Sequence, residues 1–176
     1  MISDAYRSLC RELHDRNPDF GKSGDKFFEP LSELYARWGF QTVLDYGSGK
    51  GTLAGHLRKR LAVMVWEYEP AFGIDERCGV DLVVCADVLE HVEPEHLEGV
   101  LDELRALGRM GVYLAIGTAP ATKKLADGRN AHLIVEPMGW WLPKLDKRWS
   151  RVSARELPRY EDSGKPSIDF EYIGAV

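Results

Sequence analysis

The stretch Val43-Leu44-Asp45-Tyr46-Gly47-Ser48-Gly49-Lys50-Gly51 constrains this chain more than any other. A short apolar run ends on a carboxylate. Three glycines at alternate positions then lead into Leu53, Leu57 and Leu61, which share one face of a helix. A strand turning on glycines into a helix is the opening unit of a parallel α/β sheet, and glycine lets a ligand lie close against the main chain. The spacing is G-x-G-x-G, not the G-x-G-x-x-G that cradles a pyrophosphate. The helix N-terminus is expected to offer free N–H donors. Asp45, at the head of the turn, repels phosphate and attracts a cation, so the expected ligand is nucleoside-like with a positive end.

The rest of the chain extends this alternation. Strands are expected at 42–45, 63–68, 82–86 and 112–116, and the apolar run at 82–86 suits a parallel strand buried on both faces. Helices are expected at 4–14, 27–38 and 94–107, with Gly39 ending the second and Gly108 and Gly111 at the exit of the third. A short helix at 138–145, interrupted near Pro143, and two strands at 151–157 and 169–176 complete the pattern. Glu161 to Pro166 has turn composition. The architecture expected is a three-layer α/β/α sheet, mostly parallel, ending in an antiparallel pair.

Pro70 and Asp81 are only eleven positions apart, too few for a full crossover helix and strand. The third strand and its helix are therefore expected to be reduced, leaving six strands. At 176 residues a single domain is expected. It divides into an N-terminal helical lid at 1–40, a ligand-binding core at 41–119, and a substrate loop with C-terminal strands at 120–176. No apolar run approaches the ~20 residues that span a bilayer, no secretory signal is visible, and three cysteines lack metal-type spacing. Reduced thiols in a cytoplasmic protein follow. Residues 1–119 carry 13 basic and 20 acidic side chains, whereas 120–160 carry 9 basic and 4 acidic. The second segment suggests either an anionic substrate or nucleic-acid backbone, or a solvated basic surface.

A second motif, Asp81-Leu82-Val83-Val84-Cys85-Ala86-Asp87-Val88-Leu89-Glu90-His91-Val92, follows the glycine turn in order. Together the two resemble the class I S-adenosylmethionine-dependent methyltransferases, whose first motif is a hydrophobic strand followed by D/E-x-G-x-G-x-G. The second motif is similar to the fourth-strand motif of ubiquinone-biosynthesis-type and related small members. The chain also resembles small methyltransferase-like proteins of bacteriophage and prophage genomes, where Y-[DE]-P, D-V-L-E-H and D-G-R-N-A-H recur. The resemblance implies a Rossmann-like fold and S-adenosylmethionine as cofactor. It implies that Asp45, Tyr46, Gly47 and Gly49 meet the methionine end, and that an acidic residue ending the second strand holds the ribose. Glu69 fits that role beside Tyr68, with Glu67 as competitor. Asp87 and Val88 would face the ribose or adenine, and the short interval after Pro70 leaves the adenine contacts unassigned.

Acid–base candidates lie further on. His91 in the loop after the fourth strand and His132 in Asp127-Gly128-Arg129-Asn130-Ala131-His132 titrate near neutrality when unperturbed. Asp127 is a third candidate base. Arg129 and Asn130 could grip an anionic or carbonyl group, and Trp140 could stack on a planar substrate, since of the adjacent Trp140 and Trp141 one is expected to face inward and one to be available. Each also has a plainer account as turn, surface or core. Phe20 to Gly24 could close over the cofactor. No metal is expected. The acceptor class left open is a small molecule or nucleotide. The D/N-P-P-Y/F motif of amino-methylating DNA enzymes is absent, as is a Pro-Cys pair. The alternatives are an S-adenosylmethionine enzyme donating another group, and a non-catalytic or regulatory relative.

Overall fold

These periodicities become seven strands and five α-helices among the residues that the computed structural model describes, 2–160 and 166–176. Helix α1 (Asp4–Arg16) is capped by the Ser3 side chain, which accepts the Tyr6 N–H. A 3₁₀ turn (Ser23–Phe27) leads into α2 (Phe28–Trp38), which ends at Gly39 in the left-handed region. There follow β1 (Thr42–Tyr46), α3 (Thr52–Arg60), β2 (Met64–Glu69), β3 (Ile74–Asp75), β4 (Val80–Ala86) and α4 (Leu97–Leu107). The chain finishes with β5 (Gly108–Gly117), α5 (Met138–Asp146), β6 (Ser150–Tyr160) and β7 (Pro166–Ala175).

The strands form one sheet in the order β3-β2-β1-β4-β5-β7-β6. Strands β2, β1, β4 and β5 run parallel, and β7 runs antiparallel to both β5 and β6. Each face carries its own apolar layer. Leu31, Leu34, Leu53 and Leu57 of α2 and α3 pack on Val43, Leu82 and Tyr113. Leu101 and Leu104 of α4 and Trp141 and Leu145 of α5 pack on Leu44, Val83 and Leu114 of the other face. Strand β4 feeds both layers, which explains its unbroken apolar run. A smaller cluster joins Tyr6 and Leu13 of α1 to Leu125 and Ala131.

Two expectations are corrected. The sheet has seven strands, not six, because the short interval after β2 folds straight back. Pro70–Phe72 makes one 3₁₀ turn, Gly73 reverses the chain, and β3 pairs antiparallel with Tyr68 and Glu69. A hairpin of two residues thus takes the place of a helical crossover. Gly108 caps α4 at its exit, as expected, and with Gly111 it also belongs to β5, where Gly111 pairs with Ala175. Pro143 does not interrupt α5, since buried Trp141 and Leu145 hold the helix through it. Residues 161–165, read above as a turn, lie outside the described residues. No helix among the described residues is long and apolar enough to cross a membrane.

Candidate active site

A cavity of about 290 Å³ opens at the carboxyl ends of β1, β2 and β4, the edge where open α/β sheets bind ligands. Asp45, Tyr46, Gly47, Ser48 and Gly49 line its floor, Tyr68 and Glu69 one flank, and Asp87, Val88 and His91 the other. Tyr6, Cys10 and His14 of α1 form the cover. The strands fix this convergence, because Asp45 lies level with Glu67 on one side and Val84 on the other.

The glycine turn is shaped by its neighbours as much as by any ligand. Gly47 has φ 83°, and a β-carbon there would stand 2.3 Å from a Val88 methyl. At Gly49, φ is 56° and a β-carbon would meet the Gly21 carbonyl oxygen at 2.8 Å. The amides of the turn that precedes α3 are engaged within the protein. Gly47 and Ser48 both donate to the Tyr68 carbonyl, at 2.7 and 3.1 Å. Gly49 donates to Glu69 Oε2 at 2.9 Å. Lys50 donates to the Gly21 carbonyl and Gly51 to that of Ser48. The turn is stitched to β2 and to the N-terminal segment, so its amides do not form an anion cradle.

What remains unsatisfied is anionic or polar. Asp45 is buried, accepts from the Ala54 N–H, and keeps Oδ2 without a partner. Burial first, then the Glu67 charge, pushes its carboxyl up to about 7. The Ser48 hydroxyl beside it is also buried without a partner. Buried polar atoms of this kind need an explanation, and a cationic ammonium group in the cavity would satisfy both. Glu69 is buried too, and its Oε1 accepts the Ala71 N–H at 2.9 Å. Burial raises its carboxyl while the two N–H donors pull it back. A carboxylate offers about four lone-pair positions, which leaves Glu69 capacity for hydroxyls of a ligand. Glu67 points elsewhere and takes Arg58 Nη1 at 2.6 Å.

At the third strand end, Asp87 adopts φ 56°, the left-handed region that non-glycine residues seldom enter. Its backbone N–H still reaches the Ala115 carbonyl, and its carboxylate pairs with Lys26 from the 3₁₀ turn before α2. His91 lines the cavity with Nδ1 2.8 Å from the Ala131 carbonyl. Burial and the neighbouring His132 ring hold its imidazole down at about 4.

Several residues singled out by the sequence fall outside the cavity lining. His132 stands behind His91, ring centroids 4.7 Å apart, with Nδ1 2.6 Å from the Ala119 carbonyl. Asp127 and Arg129 neutralise each other across an exposed turn at 2.8 Å. Asn130 is occupied structurally: its side chain exchanges two hydrogen bonds with the Ala121 backbone and accepts the His132 N–H. Trp140 is 36% exposed beside a separate shallow groove, with the Lys144 ammonium 4.3 Å from its ring, whereas Trp141 is fully buried. Much of the basic surplus in 120–160 is spent on ion pairs, including Arg148 with Asp102, Arg151 with Asp146 and Arg155 with Glu171. Lys123 does reach the cavity. Behind the cavity wall, the fold brings ligand-type atoms of Glu90, His91 and His132 within 4.8 Å of one another.

A lid at 1–40 was expected, but not which of its side chains would meet the cavity. Tyr6, Cys10, Leu13 and His14 recur at helical spacing, so a shared face was legible. The partner of that face was not, because one face of an isolated helix does not declare it. His14 is wedged between Phe20 and Phe72, each ring centroid 4.8 Å away. Gly21 lies close enough that a β-carbon would strike its ring. Burial first, then the Lys50 charge, lowers its imidazole.

The sequence matches the family model for the methyltransferase domain over residues 1–160. No curated protein matches it. Among solved structures, 1,6-didemethyltoxoflavin-N1-methyltransferase of Burkholderia thailandensis, with its substrate and S-adenosylhomocysteine bound, is similar at a TM-score of 0.67 and 15% identity. The match covers 98% of this chain and 90% of that one. The N-methyltransferase NodS of Bradyrhizobium japonicum WM9, in complex with S-adenosylhomocysteine, gives 0.63 at 14% identity, covering 98% and 99%. Magnesium protoporphyrin IX methyltransferase of Synechocystis PCC 6803, also with S-adenosylhomocysteine, gives 0.59 at 16%, covering 87% and 83%. At these identities the likeness is one of fold.

Proposed function

This chain belongs to the methyltransferase-domain family, and from that membership we propose that it binds S-adenosylmethionine in the β1–β2–β4 cavity and methylates a small molecule there. The single observation that supports this most is that two residues lining the cavity, Asp45 and Ser48, each keep a buried oxygen without a partner, Oδ2 and Oγ. A cationic amino-acid end would satisfy both. The three solved relatives hold the product form of the same cofactor. When bound, S-adenosylmethionine supplies an activated methyl group.

The chain's own residues then have distinct tasks. Asp45 and Ser48 hold the ammonium end, and Glu69 accepts from the ribose hydroxyls. Tyr46, Gly47, Gly49 and Tyr68 shape the floor on which the cofactor lies, with Asp87 and Val88 on the adenosine side. Ile2, Tyr6, Leu13 and Phe20 give the cavity an apolar cover, which keeps water from the methyl group. This cover favours a compact, largely apolar acceptor over a nucleic-acid strand, and the paired arginines of 120–160 support the same choice. His91 lines the cavity and bonds to the Ala131 carbonyl of the following loop, so it is the base we assign if the acceptor must lose a proton; His132 stands behind it, and Asp127 is held by Arg129 on an exposed turn. Residues 1–40 serve as the lid. The free thiols Cys10, Cys78 and Cys85 suit a reducing, cytoplasmic setting.

The test is calorimetric titration of the full chain with S-adenosylmethionine and S-adenosylhomocysteine, alongside Asp45→Ala. One-to-one binding that Asp45→Ala abolishes is expected, followed by transfer of labelled methyl to a small-molecule acceptor from a metabolite pool. Absence of heat and of thermal stabilisation with both compounds, or equal affinity in the variant, would overturn the assignment.

A further inference from the structure

Glu90 and His91 lie in the 3₁₀ turn that follows β4, Leu89–His91. His132 lies 41 positions later in the chain, yet the fold holds it against them. The N–H groups of Leu133 and Ile134 both donate to the Glu90 carbonyl, at 2.8 and 3.0 Å. As a result Glu90, His91 and His132 each present one ligand-type atom, all within 4.8 Å of one another.

The hydrogen bonds around this cluster decide its chemistry. Each imidazole is fixed through Nδ1 to a backbone carbonyl, His91 to Ala131 at 2.8 Å and His132 to Ala119 at 2.6 Å. A carbonyl only accepts, so each Nδ1 carries the hydrogen and each Nε2 is left with a lone pair. The two rings stand at 88° to one another. Glu90 is 1% exposed; its Oε1 accepts the Gly117 N–H at 2.9 Å, while Oε2 is buried with no partner. The group therefore gathers three lone-pair donors, one of them a buried carboxylate oxygen left unsatisfied. A buried carboxylate of this kind is costly unless a cation or proton donor meets it.

We propose that Glu90, His91 and His132 bind a divalent transition-metal ion, with zinc as the best match. Two imidazole nitrogens and one carboxylate oxygen suit zinc and its first-row neighbours, whereas magnesium and calcium prefer all-oxygen sets. Anchoring a ligand histidine through its other ring nitrogen to a carbonyl is the outer-shell arrangement that fixes tautomer and ring angle at metal sites. Three protein ligands leave a coordination position for water or an oxygen of a small molecule. His91 also lines the cavity, so the ion sits at its wall rather than on its floor, and in the metal-loaded protein its Nε2 is a ligand and no longer the base assigned above. This inference stands on the side-chain geometry alone and does not depend on the assignment of S-adenosylmethionine.

The experiment uses the full chain, stripped with a chelator and titrated with Zn²⁺ by calorimetry and with Co²⁺ by visible absorption. One equivalent of each is expected to bind, with the absorption pattern of cobalt in a low-coordinate nitrogen–oxygen site. Glu90→Gln keeps an acceptor for the Gly117 N–H, and it is expected to weaken Zn²⁺ affinity by at least about 100-fold. His132→Gln is expected to do the same and guards against a folding defect in the first variant. His96→Ala, at a half-buried histidine outside the cluster, is expected to bind as the parent does. Circular dichroism matching the parent would show that the variants are folded. Failure of the parent chain to bind either ion at one equivalent would overturn the proposal, as would folded Glu90→Gln and His132→Gln proteins that bind as tightly as the parent.

Discussion

The Gly21 carbonyl accepts the Lys50 N–H at 3.0 Å, fastening the segment after α1 directly to the glycine turn. The contact is tight on both sides, since a β-carbon at Gly49 would stand 2.8 Å from that same carbonyl oxygen. Lys50 adds its ammonium group to the Pro18 carbonyl at 2.6 Å. The cover and the floor of the cavity thus share one set of backbone contacts.

Gly49→Ala is expected to disrupt both. The residue is left-handed, which costs a non-glycine side chain about 1–2 kcal/mol, and the clash falls on backbone that cannot rotate away. A loss of at least about 2 kcal/mol in unfolding free energy is expected, measured by urea denaturation. Cofactor affinity is expected to fall with it, because undocking of Gly21 opens the cover.

Asp45 gives the site a pH dependence with a defined sign. Its carboxyl sits near 7 in the folded chain against 3.8 ordinarily. Between those values the native state holds a proton that the unfolded chain has released. Stability therefore falls as pH rises from about 4 to about 7 and levels off above. Binding of a cationic ligand runs the other way, since it needs the carboxylate and expels the proton. Affinity is expected to rise by up to about tenfold per pH unit below 7, with binding heats that vary with buffer ionisation. Asp45→Asn is expected to flatten both profiles.

Lys26 and Asp87 join the turn before α2 to the end of β4, and both are partly solvent-exposed. Such a pair contributes about 1 kcal/mol or less. Lys26→Met is therefore expected to leave global stability within about 1 kcal/mol of the parent. Its effect is local: amide exchange at residues 20–27 is expected to accelerate, read by mass spectrometry, while exchange in β4 and β5 stays unchanged.

Arg148 presents the opposite case. Its side chain is 6% exposed and serves Glu98, Asp102 and the Lys144 carbonyl. Its partners remain solvated when it is removed, since Glu98 and Asp102 are more than half exposed. The cost is therefore the lost hydrogen bonds and packing, about 2 kcal/mol for Arg148→Ala, measured as a lowered denaturation midpoint. Cofactor affinity is expected to be unaffected.

The fold was legible wherever local pattern and burial agree. The unbroken apolar run of β4 and the glycine turn after β1 each have one physical solution, and the structure adopts it. The brevity of the Pro70–Asp81 interval was legible too, although its outcome as a two-residue hairpin depends on pairing with β2 that no local signal encodes. The site was legible only in its contiguous parts. Asp45, Gly47, Gly49 and Glu69 stand on or beside strand ends, where position along the strand dictates direction. Asn130 and Arg129 looked chemical because of their residue types, but their side chains are taken up by neighbours within ten positions. Glu90 and His132 could not be paired from the sequence, since only the route of the chain after β5 brings them together. A helix at 4–14 was legible, yet that its Tyr6 and His14 reach the cavity depends on tertiary docking.

The saturation of the glycine bend carries one last implication. Every amide from Gly47 to Gly51 is already answered by the protein itself, so selectivity here arises from refusal as much as from attraction. Crowding the solution with sulfate or pyrophosphate is expected to leave the melting temperature where it was. Converting this scaffold into a dinucleotide receptor would require unpicking the seam to β2, not merely restoring a glycine spacing.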